Sequence, residues 1–384
     1  MSLPEKKVRK LIAMMNSVSK FTLPPVKPLI DCFDLAMDDK TLDFLLAAGT
    51  GPYTIDELEA VYRRLNPAAD AQKQWPSFLD GILEMSFLYP GPEEGKYVMA
   101  TIFPGWIELS SSGVGPRDEK KKAVLNRFMD YWKLLKLLNI APVRMWENYV
   151  RTRDKDTKIP GMTTYMSRGS REIAVNVPLT SEQQILSAGD VYELLARHRD
   201  EIAVMNCMCR LHKQAEGGCK QGLPLEGCVT LGSLSRQLVE YGAARHLTFE
   251  EACQLMDDME RHGCIHTTYH YGNSSDREEI AICNCCKDCC ILYGSSWDGS
   301  ISQVFVKSFY SPQMLNEDKC VGCNACGRYC PTEATYYDKG QKKLVFHYDR
   351  CIGCGQCVVQ CKLDIRRMVP DERNVYVKTP PKRA

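Results

Sequence analysis

Apolar residues recur at helical spacing through the first third of the chain. "FDLAMDDKTLDFLLAAG" (33–49) predicts a helix stopped by Gly49. "TIDELEAVYRRL" predicts a second, opened by a capping box of Thr54 with Glu57 three residues on. "SFLDGILEMSFLY" is a third apolar-faced helix, and "YPGPEEGKYVMA" reads as strand, Gly/Pro turn and return strand. Residues 118–150 predict a long helix whose Phe128, Tyr131 and Trp132 are packing residues. Residues 151–180, charged and punctuated by Pro and Gly, read as a connector. Beyond it, "DVYELLARHRDEIAVMNCMCR" gives a helix, a short strand and a cysteine pair. Two further helices follow, "SLSRQLVEYGAA" and "TFEEACQLMDDMERHG", the second capped by Thr248 with Glu251 and stopped by Gly263.

The pattern predicts an α+β, multidomain chain. Its parts are an N-terminal arm (1–30), a domain at 31–115, a helix and connector (116–180), a Cys-rich, mainly helical middle domain (181–310), a C-terminal domain (311–370) and a tail (371–384). The helix, helix, helix, hairpin order of 31–115 resembles a winged-helix domain. Charge does not support a DNA-reading role for it. Between Thr54 and Ala100 only Arg63, Arg64, Lys73 and Lys96 are basic, against eight acids, and "DAQKQWPSFLDGILEM" has one lysine and a proline. No specific nucleic-acid partner is expected. Over the whole chain 49 basic residues nearly cancel 48 acidic ones. No apolar run approaches the roughly 20 residues that span a bilayer. The basic start, "MSLPEKKVRKLIAMMNSVSK", lacks a long apolar stretch and a small-residue cleavage site, so it reads as an amphipathic arm on its own protein. The expected location is the cytoplasm.

Twenty cysteines among 384 residues change the picture. A large chain without an export signal does not need a disulfide framework, and dense thiols in a reducing compartment hold metal or do redox chemistry. The strongest signal is a duplication. "CVGCNACGRYCP" from Cys320 and "CIGCGQCVVQCK" from Cys351 place every cysteine of the first run again 31 positions later. Each run is C-x2-C-x2-C-x3-C, with Gly322, Gly327, Gly353 and Gly355 allowing sharp turns and close backbone approach. Residues 315–369 therefore resemble the two-[4Fe-4S] bacterial-type ferredoxins. That resemblance implies that Cys320, Cys323 and Cys326 share one cluster with Cys361, and that Cys351, Cys354 and Cys357 share the other with Cys330. "ATYYDKGQKKLVF" would be the hairpin between the halves. Pro331 follows the first run as usual, but Lys362 stands where the second would usually have proline.

Two further groups remain: Cys207, Cys209, Cys219 and Cys228, and then Cys283, Cys285, Cys286, Cys289 and Cys290 in "CNCCKDCC". Three readings stand for them: a further Fe–S cluster fed by both groups, a structural zinc, or unmetallated thiols. Adjacent cysteines alternate in direction along an extended chain, so Cys285 or Cys286, with Cys289 or Cys290, would join Cys207 and Cys209. Cys32, Cys253 and Cys264 read as packed thiols. Cys253, Cys285–Cys286, Cys323 and Cys326 match the heterodisulfide-reductase CCG spacing only by borrowing from the ferredoxin repeat, which marks the match as chance. His262, His266 and His270 fall at every fourth position, but Gly263 breaks a helix there and "CIHTTYHYG" reads as a strand of packed histidines.

From about 185 to 369 the chain also resembles multidomain ferredoxin-type proteins of anaerobic bacteria and archaea, some with a winged-helix-like N-terminus. The implied function is electron transfer between partner redox proteins. A catalytic iron–sulfur reductase and a redox-responsive regulator are the competing classes. No G-x-G-x-x-G after a strand and no P-loop supports a nucleotide or flavin enzyme.

Overall fold

The computed structural model describes residues 2–19, 22–67, 70–114, 118–137, 162–167, 191–214, 216–270, 278–291 and 305–373. Most of the expected connector, the second half of the helix at 118–150 and most of the expected tail lie outside these residues. The described part of the connector, 162–167, is not a plain linker, because Met162–Thr164 is a strand of the central sheet.

The N-terminal part is helical. Helix α1 (Glu5–Ser17) buries Val8, Leu11, Ile12 and Met15, the self-packing arm expected of its amphipathic pattern. The stretch read as one helix at 33–49 is two, α2 (Lys27–Ala36) and α3 (Asp39–Ala48). Met37 is extended and the Asp38 carboxylate accepts from the Thr41 N–H, a cap that starts α3 afresh. Then come α4 (Ile55–Leu65) with its Thr54/Glu57 capping box, α5 (Ala71–Glu84), and the hairpin of β1 (Leu88–Pro90) with β2 (Tyr97–Met99). An irregular turn (Ile102–Trp106), non-helical at Phe103, Pro104 and Gly105, and α6 (Ile107–Ser111) follow, then α7 (Glu119–Leu137). Phe128, Tyr131 and Trp132 on α7 are buried, and Phe103 packs on Phe128 and Trp132. Trp106 stacks between Phe33 and Phe87, tying this segment to α2 and the hairpin.

The middle of the chain departs from the mainly helical expectation, because its centre is a seven-stranded sheet. In chain order its strands are β3 (Met162–Thr164), β4 (Ile202–Asn206), β5 (Glu226–Leu231), β6 (Arg245–Leu247), β7 (Ile265–His270), β8 (Glu279–Cys285) and β9 (Phe305–Val306). They pair in the order β6-β4-β5-β8-β7-β3-β9, antiparallel throughout except for β3 with β9. Helices α8 (Val191–Arg197), α9 (Met208–Gln214), α10 (Ser233–Glu240) and α11 (Phe249–Arg261) connect the strands. β4 is buried along its whole length, a continuous apolar run that gives no two-residue alternation to read.

The C-terminal part has two antiparallel pairs, β10 (Tyr310–Met314) with β13 (Arg366–Pro370), and β11 (Thr335–Asp338) with β12 (Lys343–Phe346), the predicted hairpin. Short helices α12 (Ala325–Tyr329) and α13 (Gln356–Val359) each lie inside a cysteine run. This part packs on the sheet: buried Gln356 donates to the carbonyls of Cys264 at 2.7 Å and Glu260 at 3.3 Å, and the Ser167 N–H donates to the Cys354 carbonyl at 3.0 Å. Gly263 (φ +88°) faces the Tyr329 ring, which leaves no room for a Cβ.

Candidate metal centres

The two ferredoxin-like runs fold as near repeats, loop then short helix, and the structure interleaves their thiols. Cys320 and Cys361 are among the groups whose charge acts on Cys326, while Cys330 acts on Cys351, Cys354 and Cys357. Backbone amides point at sulfur: the Ala334 N–H donates to Cys330 Sγ at 3.2 Å, and Gly327, Gly353 and Gln356 do so to Cys326, Cys351 and Cys354. Gly353 needs its φ of +76°, and a Cβ there would run into Ser308, Arg373 and the Tyr310 carbonyl. Thiol-only donors with amide hydrogens on the sulfurs suit a cubane cluster. Burial pushes the Cys357 thiol up to about 12, so this thiol is ionised only against a bound cation.

The sets differ in exposure. Cys323 is exposed, and Cys320, Cys326 and Cys361 are half-buried. Cys330, Cys351, Cys354 and Cys357 are all buried, and the Cys354 carbonyl accepts from Ser167 just beyond β3. Arg366, whose charge acts on both Cys326 and Cys357, is buried; its Nη2 donates to Thr335 Oγ1 at 3.0 Å and its Nη1 has no partner among the described residues. Lys362, the departure from the usual proline, is exposed.

The other cysteines divide into two groups. Cys207 and Cys209 leave the end of β4, Cys228 lies on β5 and Cys283 pairs with it across the β5–β8 ladder. With Cys290 these five thiols line one cavity, beside Phe103, Glu108 and Tyr269. Cys285, two residues from Cys283 on the same strand, donates to Cys283 Sγ at 3.2 Å and also meets Cys290. Thiol–thiol hydrogen bonds and then burial push Cys207 and Cys285 well above an ordinary thiol. At Cys209 the bond with Cys207 pulls down, but the bond with Cys290 and burial outweigh it, and burial leads for Cys228.

Cys219, Cys286 and Cys289 form the second group, their sulfurs all within 4.8 Å of one another. A hydrogen bond from Cys289 outweighs burial at Cys286 and, with the Arg210 charge, holds that thiol down to about 6. The same contact drives Cys289 up. Alternation thus separates Cys285 from Cys286, as expected. It also gathers Cys286 and Cys289 with Cys219, and Cys209 packs against them, so the nine thiols divide into two neighbouring sets.

Two residues escaped the sequence reading. Arg210, 1 % exposed, sits where its charge acts on Cys207 and Cys283 of one group and Cys286 of the other. Its position directly after "CMC" was the available signal. Burial raises Glu108 to about 8, and its Oε1 is buried without a partner among the described residues, while Oε2 accepts from the Gly105 N–H at 2.8 Å. Glu108 borders both the thiol-lined cavity and an adjoining apolar one lined by Tyr89, Leu109, Leu234, Tyr269 and Ile280.

Cys32 is packed, its thiol on the Pro28 carbonyl, and Cys253 lies against the α8–α11 core. Cys264, read as merely packed, receives a hydrogen bond from Arg210 and packs with Cys286 and Cys289. The histidines form no metal face. His262 bonds the Asp258 carbonyl at the end of α11, whereas buried His266 meets Asn284 Oδ1 at 2.7 Å and lies 3.7 Å from Glu260.

Residues 313–362 match the family of 4Fe-4S dicluster domains, so this part of the chain is a ferredoxin-type domain. No curated protein and no solved structure matches the chain. No helix among the described residues is long and apolar enough to cross a membrane.

Proposed function

We propose that the chain is an iron–sulfur electron-transfer protein that relays electrons between partner redox proteins in the cytoplasm. Cys320, Cys323, Cys326 and Cys361 would hold one [4Fe-4S] cluster, and Cys351, Cys354, Cys357 and Cys330 a second. Bound there, such a cluster takes up and releases one electron. The observation that carries the reading is the gradient of exposure. The first set opens to solvent at Cys323, where a partner can approach, and the second is buried. Arg366 places a fixed positive charge beside both sets, favouring the reduced, more negative state. From the second set the path continues into the sheet, where the Cys207 group would hold a further cluster.

The winged-helix-like segment 31–115 serves protein contacts in this reading. Arg63 pairs with Glu59 and Lys96 with Glu93, so two of the four basic residues between Thr54 and Ala100 are already engaged by acids. A reductase reading is favoured by one feature, the apolar cavity beside the Cys207 group. Its apolar lining borders Glu108, whose carboxyl burial raises to about 8.

An anaerobic redox titration of the full chain tests the proposal. It should take up about two electrons per chain reversibly through the ferredoxin-type domain, and about a third if the Cys207 group is loaded. A chain with no reversible uptake at low potential is not an electron carrier.

A further inference from the structure

Cys219, Cys286 and Cys289 have a geometry of their own. A tetrahedral ion with metal–sulfur bonds of about 2.3 Å holds its thiolates about 3.8 Å apart. Cubane ligands each take a different iron and stand farther apart. The three sulfurs here lie within 4.8 Å of one another, which suits one ion and is too tight for four. The turn carrying two of them is built for thiolate: the Cys289 N–H donates to Cys286 Sγ at 3.3 Å, and the Cys290 N–H closes the turn on the Cys286 carbonyl at 3.2 Å. Cys219 arrives from the loop between α9 and β5, held to the turn by the Lys220 N–H on Asp288 Oδ2 at 2.9 Å.

Arg210, whose charge acts on Cys286 as well as on Cys207 and Cys283, favours negative charge at this place too. Its guanidinium is buried and donates to Cys264 Sγ, the Asn284 carbonyl and the Pro224 carbonyl, with no carboxylate partner among the described residues. A buried cation without an anion is costly. Three thiolates around a divalent ion leave one net negative charge, which meets that need.

We infer that Cys219, Cys286 and Cys289 form a mononuclear site for a thiophilic divalent cation of the zinc type, separate from the Cys207 group. Asp288 Oδ2, 3.6 Å from Cys289 Sγ, is at hand for the fourth position. The role is structural. Lys287, inside the turn, reaches the Gly327 carbonyl at 3.2 Å and Glu333 at 3.5 Å, so the ion would fasten the surface on which the ferredoxin-type domain docks. The inference rests on the proposed reading only in giving the Cys207 group to a different centre.

Metal analysis of the full chain, purified anaerobically, tests this with Cys286→Ser and Cys207→Ser beside the wild type. The expected pattern is about one zinc per wild-type chain, lost in Cys286→Ser with iron unchanged, and kept in Cys207→Ser. Wild-type protein exchanged with Co2+ alone should show thiolate-to-cobalt charge-transfer absorption, a readout that does not depend on any variant folding. A wild type that takes neither Zn2+ nor Co2+, or that carries a Cys286–Cys289 disulfide instead, overturns the inference. So does a Cys286→Ser chain that loses about four irons where zinc was never present. Failure of the electron-transfer reading looks different: iron that cannot be reduced in every variant, with the zinc pattern intact.

Discussion

Arg210 Nη2 lies 3.3 Å from Cys264 Sγ, and this contact fixes a buried positive charge between two groups of thiols. The same nitrogen donates to the Asn284 carbonyl at 2.7 Å, on the strand that carries Cys283 and Cys285. The guanidinium therefore cannot swing out to water without releasing both. In a metal-free interior this charge would be a liability; beside metal-bound thiolates it is a counterion.

Replacing it by a neutral side chain of similar length separates those cases. Arg210→Met should shift the reduction potential of the centre at the Cys207 group downward by on the order of 100 mV, the scale for one charge removed at close range. The ferredoxin-type clusters should keep their potentials. The check is an EPR-monitored titration of both proteins. Identical potentials at unchanged iron content would mean that the guanidinium does not face a charged centre.

Thr248→Ala removes the side-chain cap of α11, whose Thr248 Oγ1 accepts from the Glu251 N–H at 3.1 Å. The helix buries Met256 and Met259 against the sheet and ends at the surface that meets Gln356. The expected cost is about 1 kcal/mol in urea denaturation, with metal content unchanged. Iron loss without a stability change would instead tie this cap to cluster insertion.

What was legible in the sequence is what depends on neighbours in the chain. The Thr54 and Thr248 capping boxes, both hairpins and the strand leading into Cys207 are set within a few residues. So is the duplicated cysteine run, because its chemistry fixes its spacing. The sheet was hidden because it joins β5 to β8 and β3 to β7 across long stretches of chain, and such pairings leave no local period. The break between α2 and α3 was missed because apolar spacing continues through Met37, while the Asp38 cap decides otherwise. The parting of Cys285 from Cys286 followed from strand alternation, but the destination of each depended on Cys209 and Cys219, which only the fold brings near. Glu108 gave no signal at all, since its environment is made by residues far along the chain.

The central claim, that the duplicated cysteine runs carry reducible clusters, is tested most directly by iron and acid-labile sulfide per full chain, read together with EPR of the dithionite-reduced protein. The account predicts at least about eight irons and eight sulfides per chain, with signals of reduced [4Fe-4S] clusters. Several zinc ions per chain, no labile sulfide and no signal on reduction would contradict it.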